Sequence, residues 1–238
     1  MYDDTPPAAT VRTQVPVPLR FADGYATAAR VFSFDGLVDG REHIAFGFGA
    51  PREAGSPLVR LHSECLTGDV LGSLRCDCRD QLGTALERIA QEPCGVLLYL
   101  RQEGRGIGLL NKVRAYALQD RGLDTVDANI ALGFRDDERD YAVAAHMLAS
   151  LTLRSVRLLT NNPRKVEELV SYGIRVTDRI PHVIPANEHN RFYLETKANR
   201  SGHFIDFEGK PHVAEQDDPV LVAPNLARSI KRCQRRPR

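Results

Sequence analysis

From Tyr25 to Phe48 apolar segments broken by a polar turn read as antiparallel strands. Ala26 to Phe34 reads as one strand, a turn falls near Asp35 to Gly40, and His43 to Phe48 reads as its antiparallel partner. Pro51, Gly55 and Pro57 make Ala50 to Ser56 a loop, and Leu58 to His62 is a further strand, apolar with one charge. The period then changes. Leu82, Leu86, Ile89 and Ala90 recur at helical spacing, and Gly95 to Leu100 (GVLLYL) is the continuous apolar run of a strand buried on both faces. Leu109, Leu110, Val113, Tyr116 and Ala117 form a second helical stripe, and a third helix is expected from about Asp137 to Leu151. Ser155 to Thr160 (SVRLLT) is another buried strand. Asn162 can cap the helix that follows, Pro163 suits its first turn and Gly173 its C-terminal end. Ile174 to Ile180 reads as a strand. Helices alternating with buried strands imply an α/β fold: a mostly parallel sheet covered by helices, with an N-terminal antiparallel strand region. No internal repeat is visible.

The two ends break this pattern. Residues 1–18 hold four prolines and read as a loose arm, and residues 209–238 read as a disordered basic tail or a solvated solubility tail. A chain of 238 residues can bury a sizeable core in one domain. No apolar run reaches the roughly 18–20 residues that cross a bilayer, and the N-terminus has no secretory apolar core, so a cytoplasmic protein without a membrane partner is expected. With 32 basic and 31 acidic residues the net charge is +1, which gives no support to nucleic-acid binding.

Three of the five cysteines, Cys65, Cys76 and Cys78, fall within fourteen residues. In a reducing compartment such crowding suggests metal binding more than disulfides. Three thiolates leave a fourth position on zinc for water, the arrangement of a catalytic ion. A folding staple with His62 as fourth ligand, or three buried cysteines with no metal, are the plainer readings. His62-Ser63-Glu64 matches half of a nucleobase deaminase signature, but the P-C-x-x-C half is absent.

Two strand-to-helix turns suit anions. Arg101 to Gly108 follows the buried GVLLYL strand and opens a helix, and Thr160 to Lys165 repeats that geometry. Neither is a Walker A or dinucleotide loop, so a plain glycine-rich turn and a well-capped helix with solvated Arg164 and Lys165 remain equal readings. Asp137 before a helix is by default a cap, and Tyr116 on an apolar stripe is by default core.

The motifs RLHSECLTGD, LRCDCRDQL, RQEGRGIGLLNK, RAYALQD, DERD and LLTNNPRKV together resemble GTP cyclohydrolase II, over Arg60 to about His203. The resemblance implies a catalytic domain over residues 19–208. It implies zinc-dependent hydrolysis of GTP in riboflavin biosynthesis, releasing formate and pyrophosphate and leaving a diaminopyrimidinone that carries a ribosylamine phosphate. It matches Cys65, Cys76 and Cys78 to the zinc ligands. Arg60, Leu61, His62, Ser63, Glu64, Gln81, Glu103, Gly104, Arg105, Thr125, Thr160 and Lys165 fall on substrate-contacting positions. Asp137 falls on the proton acceptor, Arg139 on the nucleophile toward phosphorus and Tyr116 on a tyrosine of the ring-opening chemistry. Magnesium on the triphosphate and a homodimer are also implied. The 59 residues before Arg60 are too few for the companion synthase domain that some relatives carry. Gln81 and Glu103 are expected to meet the purine edge, and Arg105 and Lys165 the phosphates. A relative that leaves the formyl group on its product, and a non-catalytic nucleotide-binding module with structural zinc, are the competing readings.

Overall fold

The strand expected at Ala26 has partners on both sides. In the computed structural model, which describes residues 9–21, 24–182, 184 and 200, Thr10–Arg20 (β1) pairs antiparallel with Ala26–Asp35 (β2), and β2 pairs with Ile44–Gly49 (β3). The expected arm over residues 1–18 is therefore corrected from Thr10 onward. Pro16 and Pro18 argue against a strand because proline removes a ladder donor. At a sheet edge that loss is tolerated, and it blunts an edge open to further pairing. The expected tail over 209–238 lies outside the described residues.

Beyond β3 the sheet becomes parallel. Cys94–Leu100 (β5) runs antiparallel to β3 and parallel to Leu58–Ser63 (β4), with His62 level with Tyr99 and Ser63 with Leu100. Ser155–Leu159 (β6) and Arg175–Ile180 (β7) continue in parallel, giving one seven-stranded sheet in the order β1-β2-β3-β5-β4-β6-β7. The α/β expectation is borne out, and the antiparallel region proves to be the flank of the same sheet.

Strand alternation sends side chains to two cores. Val59 and Leu61 of β4 join Val96, Leu98 and Leu100 of β5 on one face, under Ala142–Ser150 (α4) and Pro163–Ser171 (α5). Leu58 and Leu97 point the other way, onto Ala85 and Ile89 of Cys78–Gln91 (α1). Each fully buried Leu stabilises the fold by about 1.5–3 kcal/mol relative to exposure. Arg60 and His62 share the parity of Leu58, so the same alternation carries two polar groups into the interior on the α1 face.

Helix boundaries follow their caps. Asn162 accepts from the Arg164 N–H at 3.0 Å and caps α5, and Gly173 has φ 81°, both as expected. α4 starts at Ala142 rather than near Asp137, because Asp137 turns to its own neighbour Arg139 and the Tyr141 N–H is taken by Glu168 of α5 at 2.8 Å. A short helix, Thr125–Ala131 (α3), was not expected. Asp124 caps it by accepting from the Asp127 N–H. In Leu109–Gln119 (α2) the anticipated apolar stripe faces outward: Leu110 is 81% and Val113 54% exposed. The buried positions are Lys112 and Ala115, both of which line the cavity beside the cysteines.

Candidate active site

The parallel strands β4, β5 and β6 end side by side, and in open α/β sheets ligands meet the carboxyl ends of strands. The chain leaving β4 makes a tight turn over Leu66–Val70, then returns to start α1 at Cys78. This brings Cys65, Cys76 and Cys78 together, their sulfurs all within 4.8 Å of one another. Gly68 forms the wall behind them. A Cβ there would lie 2.8 Å from Cys76 Sγ and 2.9 Å from Cys78 Cβ, so any side chain would displace the cluster. Among the described residues no further His, Cys, Asp or Glu joins the three. Cys94 lies buried at the start of β5, outside the group. His62 is not a fourth ligand either: its Nε2 meets the Asp69 carboxylate at 3.0 Å and its ring stacks on Tyr99 at 5.5 Å.

Asp69 shapes the turn. Its carboxylate accepts from the Tyr99 hydroxyl at 2.8 Å and the Cys65 N–H at 3.0 Å, and also holds His62. Burial, ahead of these contacts, lowers the His62 pKa, so the ring is neutral and its tautomer is set by Asp69. The thiols influence each other. Donation from Cys76 and then Cys78, helped by Lys112, pulls the Cys65 thiol well below its ordinary range, and the bond to Cys65 pushes Cys76 up to about 11. The neighbouring thiols and burial push Cys78 up as well, so one thiol ionises more readily than the other two. Sulfur donors at this spacing suit zinc.

Lys112 reaches the same cluster from α2. Its ammonium donates to Cys65 Sγ at 3.0 Å, Thr67 Oγ1 at 3.0 Å and Glu103 Oε1 at 2.8 Å. The other oxygen of Glu103 accepts from the Leu66 N–H at 2.7 Å, tying the strand-β5 turn to the cysteine turn. Tyr116, one helical turn after Lys112, places its hydroxyl 3.4 Å from Thr67 Oγ1, and the Arg75 guanidinium stands 4.9 Å over its ring. Burial raises the Tyr116 pKa, which keeps the phenol protonated.

Directly after Glu103, Gly104 and Arg105 both adopt left-handed backbone, φ 64° and 59°. For Arg105 this costs about 1–2 kcal/mol, and such strain concentrates at functional sites. The turn is locked where the Arg105 carbonyl accepts from the Glu138 N–H at 2.9 Å. Gly106 permits that approach, since a Cβ would meet Glu138 and the Arg139 nitrogen at 3.0–3.2 Å. Arg139 then presents its guanidinium through a two-point bond to Asp137, with Nε at 2.8 Å, while its carbonyl accepts from Arg164 at 2.6 Å. Burial raises the Asp137 pKa but the paired Arg139 outweighs it, holding the carboxyl at about 2.

These walls enclose a cavity of about 360 Å³, within the range of small-ligand pockets. Of the residues singled out from sequence, Ser63, Glu64, the three cysteines, Glu103, Gly104, Arg105, Tyr116, Thr125 and Arg139 line it. Asp137 does not line it and acts on it through Arg139. Arg60, Leu61, His62, Gln81, Thr160 and Lys165 also stand outside its lining and are spent on the protein. Arg60 donates to the Leu159 carbonyl at 2.9 Å and to Gln81 Oε1 at 2.6 Å, Gln81 donates to Asp77, and Lys165 donates to the Leu61 carbonyl at 2.8 Å. Thr160 Oγ1 accepts from the Asn162 N–H. The expected purine-edge pair is thus not free here: Gln81 lies between Arg60 and Asp77, and Glu103 between Lys112 and the Leu66 N–H. Asp69, Arg75 and Lys112 were missed by sequence reasoning. All three sit inside the quoted motifs, but only the fold shows what they touch.

An α/β enzyme with a thiol cluster on the wall of a polar cavity at the carboxyl end of its sheet is the class that the fold and site define. A model of the GTP cyclohydrolase II family matches residues 12–181. The GTP cyclohydrolase-2 of Pseudomonas aeruginosa is 56% identical over 189 residues, 78% of this chain and 91% of that protein. The GTP cyclohydrolase-2 of Pseudomonas putida is 52% identical over 204 residues, 84% of this chain and all of that protein. The riboflavin biosynthesis protein RibBA of Bacillus subtilis is 55% identical over 179 residues, 75% of this chain but 45% of that protein, so the chain spans less than half of that relative's length. The chain belongs to the GTP cyclohydrolase II family and is an enzyme of that class.

Proposed function

We propose that the chain hydrolyses GTP at a zinc ion held by Cys65, Cys76 and Cys78, opening the guanine imidazole ring and releasing formate and pyrophosphate. The reading rests on one observation: three sulfurs share a cavity wall with no fourth His, Cys, Asp or Glu among the described residues, leaving a coordination position toward the cavity. Zinc bound there would supply the Lewis acidity that activates water for attack on the poorly electrophilic carbon between the two imidazole nitrogens. Tyr116, protonated and on the same wall, suits donation to the ring nitrogen that gains electron density as the bond opens. A second water then cleaves the formamide, which leaves as formate.

Pyrophosphate leaves in a separate displacement at the α-phosphorus, and Arg105 and Arg139 line the cavity with positive charge for its oxygens. Asp137, with a pKa of about 2, is a weak proton acceptor at neutral pH and a strong anchor for a cationic Arg139. That pairing favours Arg139 as an electrostatic clamp with water attacking phosphorus, over a guanidine nucleophile whose reference pKa is about 12.5–13.8. Magnesium would accompany the triphosphate as part of the substrate. Thr125, Ser63 and Glu64 offer polar contacts around it, while Arg60, Gln81, Thr160 and Lys165 support those walls from behind. Exposed Val70, Leu71, Leu110 and Val113 offer apolar surface for a homodimer. No described helix is long and apolar enough to cross a membrane, and the net charge of +1 suits neither a membrane nor a nucleic-acid partner, in keeping with a cytoplasmic enzyme.

The deciding experiment incubates the purified protein with GTP and magnesium, measures formate and pyrophosphate together, and counts zinc per chain. One zinc and equal amounts of both products are expected. A product that keeps its formyl group would shift the assignment to a different GTP-opening reaction, and binding without turnover would make the chain a nucleotide-binding module.

A further inference from the structure

Lys112 is out of place by composition. A lysine on a surface helix normally reaches into solvent, yet this residue is 8% exposed while the apolar Leu110 and Val113 beside it are open. Burying an ammonium is costly unless its donors are satisfied. All three N–H groups have partners, and one of them is Cys65 Sγ at 3.0 Å. Glu103 holds the ammonium at 2.8 Å while its second oxygen is fixed by the Leu66 N–H, so the lysine cannot drift from the sulfur.

Three thiolates overcompensate a doubly charged ion, leaving the site one unit negative and the ion a weak Lewis acid. A charged donor on one sulfur draws electron density away from the metal, and here Glu103 holds that donor against Cys65. We propose that Lys112 is a positioning residue that tunes the metal through Cys65, making an ion on three sulfurs electrophilic enough to activate water. The proposal rests on the metal reading above. It differs from a purely structural role, in which the Lys112–Glu103 pair only fastens α2 to the strand-β5 turn.

The test uses cobalt(II) in place of zinc and reads the sulfur-to-cobalt charge-transfer absorption of the full chain. In Lys112→Met the sulfur regains electron density, so the band is expected at longer wavelength than in wild type with one cobalt still bound. For the zinc protein kcat is expected to fall about ten- to a hundredfold, the usual cost of losing a partner that orients or tunes a ligand, with a smaller change in KM. Lys112→Gln keeps a neutral donor and is expected to shift the band the same way by less. It carries the test if circular dichroism shows Lys112→Met unfolded. An unmoved band in the folded variant, at full cobalt loading, overturns the role of Lys112 alone. A wild-type chain that takes up no cobalt overturns the metal reading and this proposal with it.

Discussion

Two polar clusters lie at the carboxyl ends of the same parallel strands, and they differ in what their side chains face. The cluster around Cys65, Lys112, Tyr116 and Arg139 opens on the cavity. The cluster around Arg60, Gln81, His182 and Lys165 meets carbonyls and amides of the protein: Arg60 on Leu159, His182 Nε2 on the Gln81 carbonyl at 2.9 Å, Lys165 on Leu61. Burial lowers the Arg60 pKa to about 10, which still leaves it cationic at neutral pH. A motif rich in charged residues thus mixes groups that face the cavity with groups bonded to the protein. Spacing cannot separate them. Hydrogen-bond partners can.

That division can be broken by substitution, and the largest effect is expected at the thiols. Cys76→Ser should abolish formate release and remove bound zinc while circular dichroism at room temperature stays native, since both cores lie away from the cluster. A chain unfolded by this change would make the metal a folding staple. Arg60→Ala should do the reverse. It strands the Leu159 carbonyl and the Gln81 amide in the interior and should cost about 3 kcal/mol in urea unfolding. If stability is unchanged while KM for GTP rises strongly, Arg60 belongs with the ligand-facing group.

A smaller effect should appear as a pH dependence of stability. Burial, then the nearby Arg60 charge, lowers the His182 pKa to about 3, against an ordinary value of 6.5. The folded state refuses a proton that the unfolded chain accepts. Stability from this group is therefore complete above about pH 6.5 and declines as pH falls from there toward 3, by up to about 1.4 kcal/mol per pH unit. Neutral, buried His62 adds to the same decline. His182→Gln, which can still donate to the Gln81 carbonyl, should flatten the slope in urea melts taken between pH 6.5 and 4. An identical slope in the variant would remove His182 from the account. The smallest effect is expected for Asn162→Ala, which removes the α5 cap and should cost about 1 kcal/mol with turnover nearly unchanged.

Much of the fold was legible because period and punctuation agree. GVLLYL and SVRLLT read as buried strands, and Asn162-Pro163 with Gly173 bracketed α5 within a residue or two. Two elements escaped. β1 hid behind Pro16 and Pro18, whose cost vanishes only at an edge. α3 is too short for a periodic signal. The helix α2 was legible but its facing was not: Leu110 and Val113 are exposed, while Lys112 and Ala115 line the cavity.

The sequence by itself determined the α/β class, the family and the three cysteines, since these depend on local period and on residue types at fixed spacing. Only the tertiary structure decided that His62 meets Asp69 and stays out of the cysteine cluster, that Asp137 grips Arg139, and that Lys112 reaches Cys65 across 47 positions of chain. The reason is physical. A side chain's chemistry is set by the partner within about 3 Å of it, and no one-dimensional pattern records which strand end the fold will bring there.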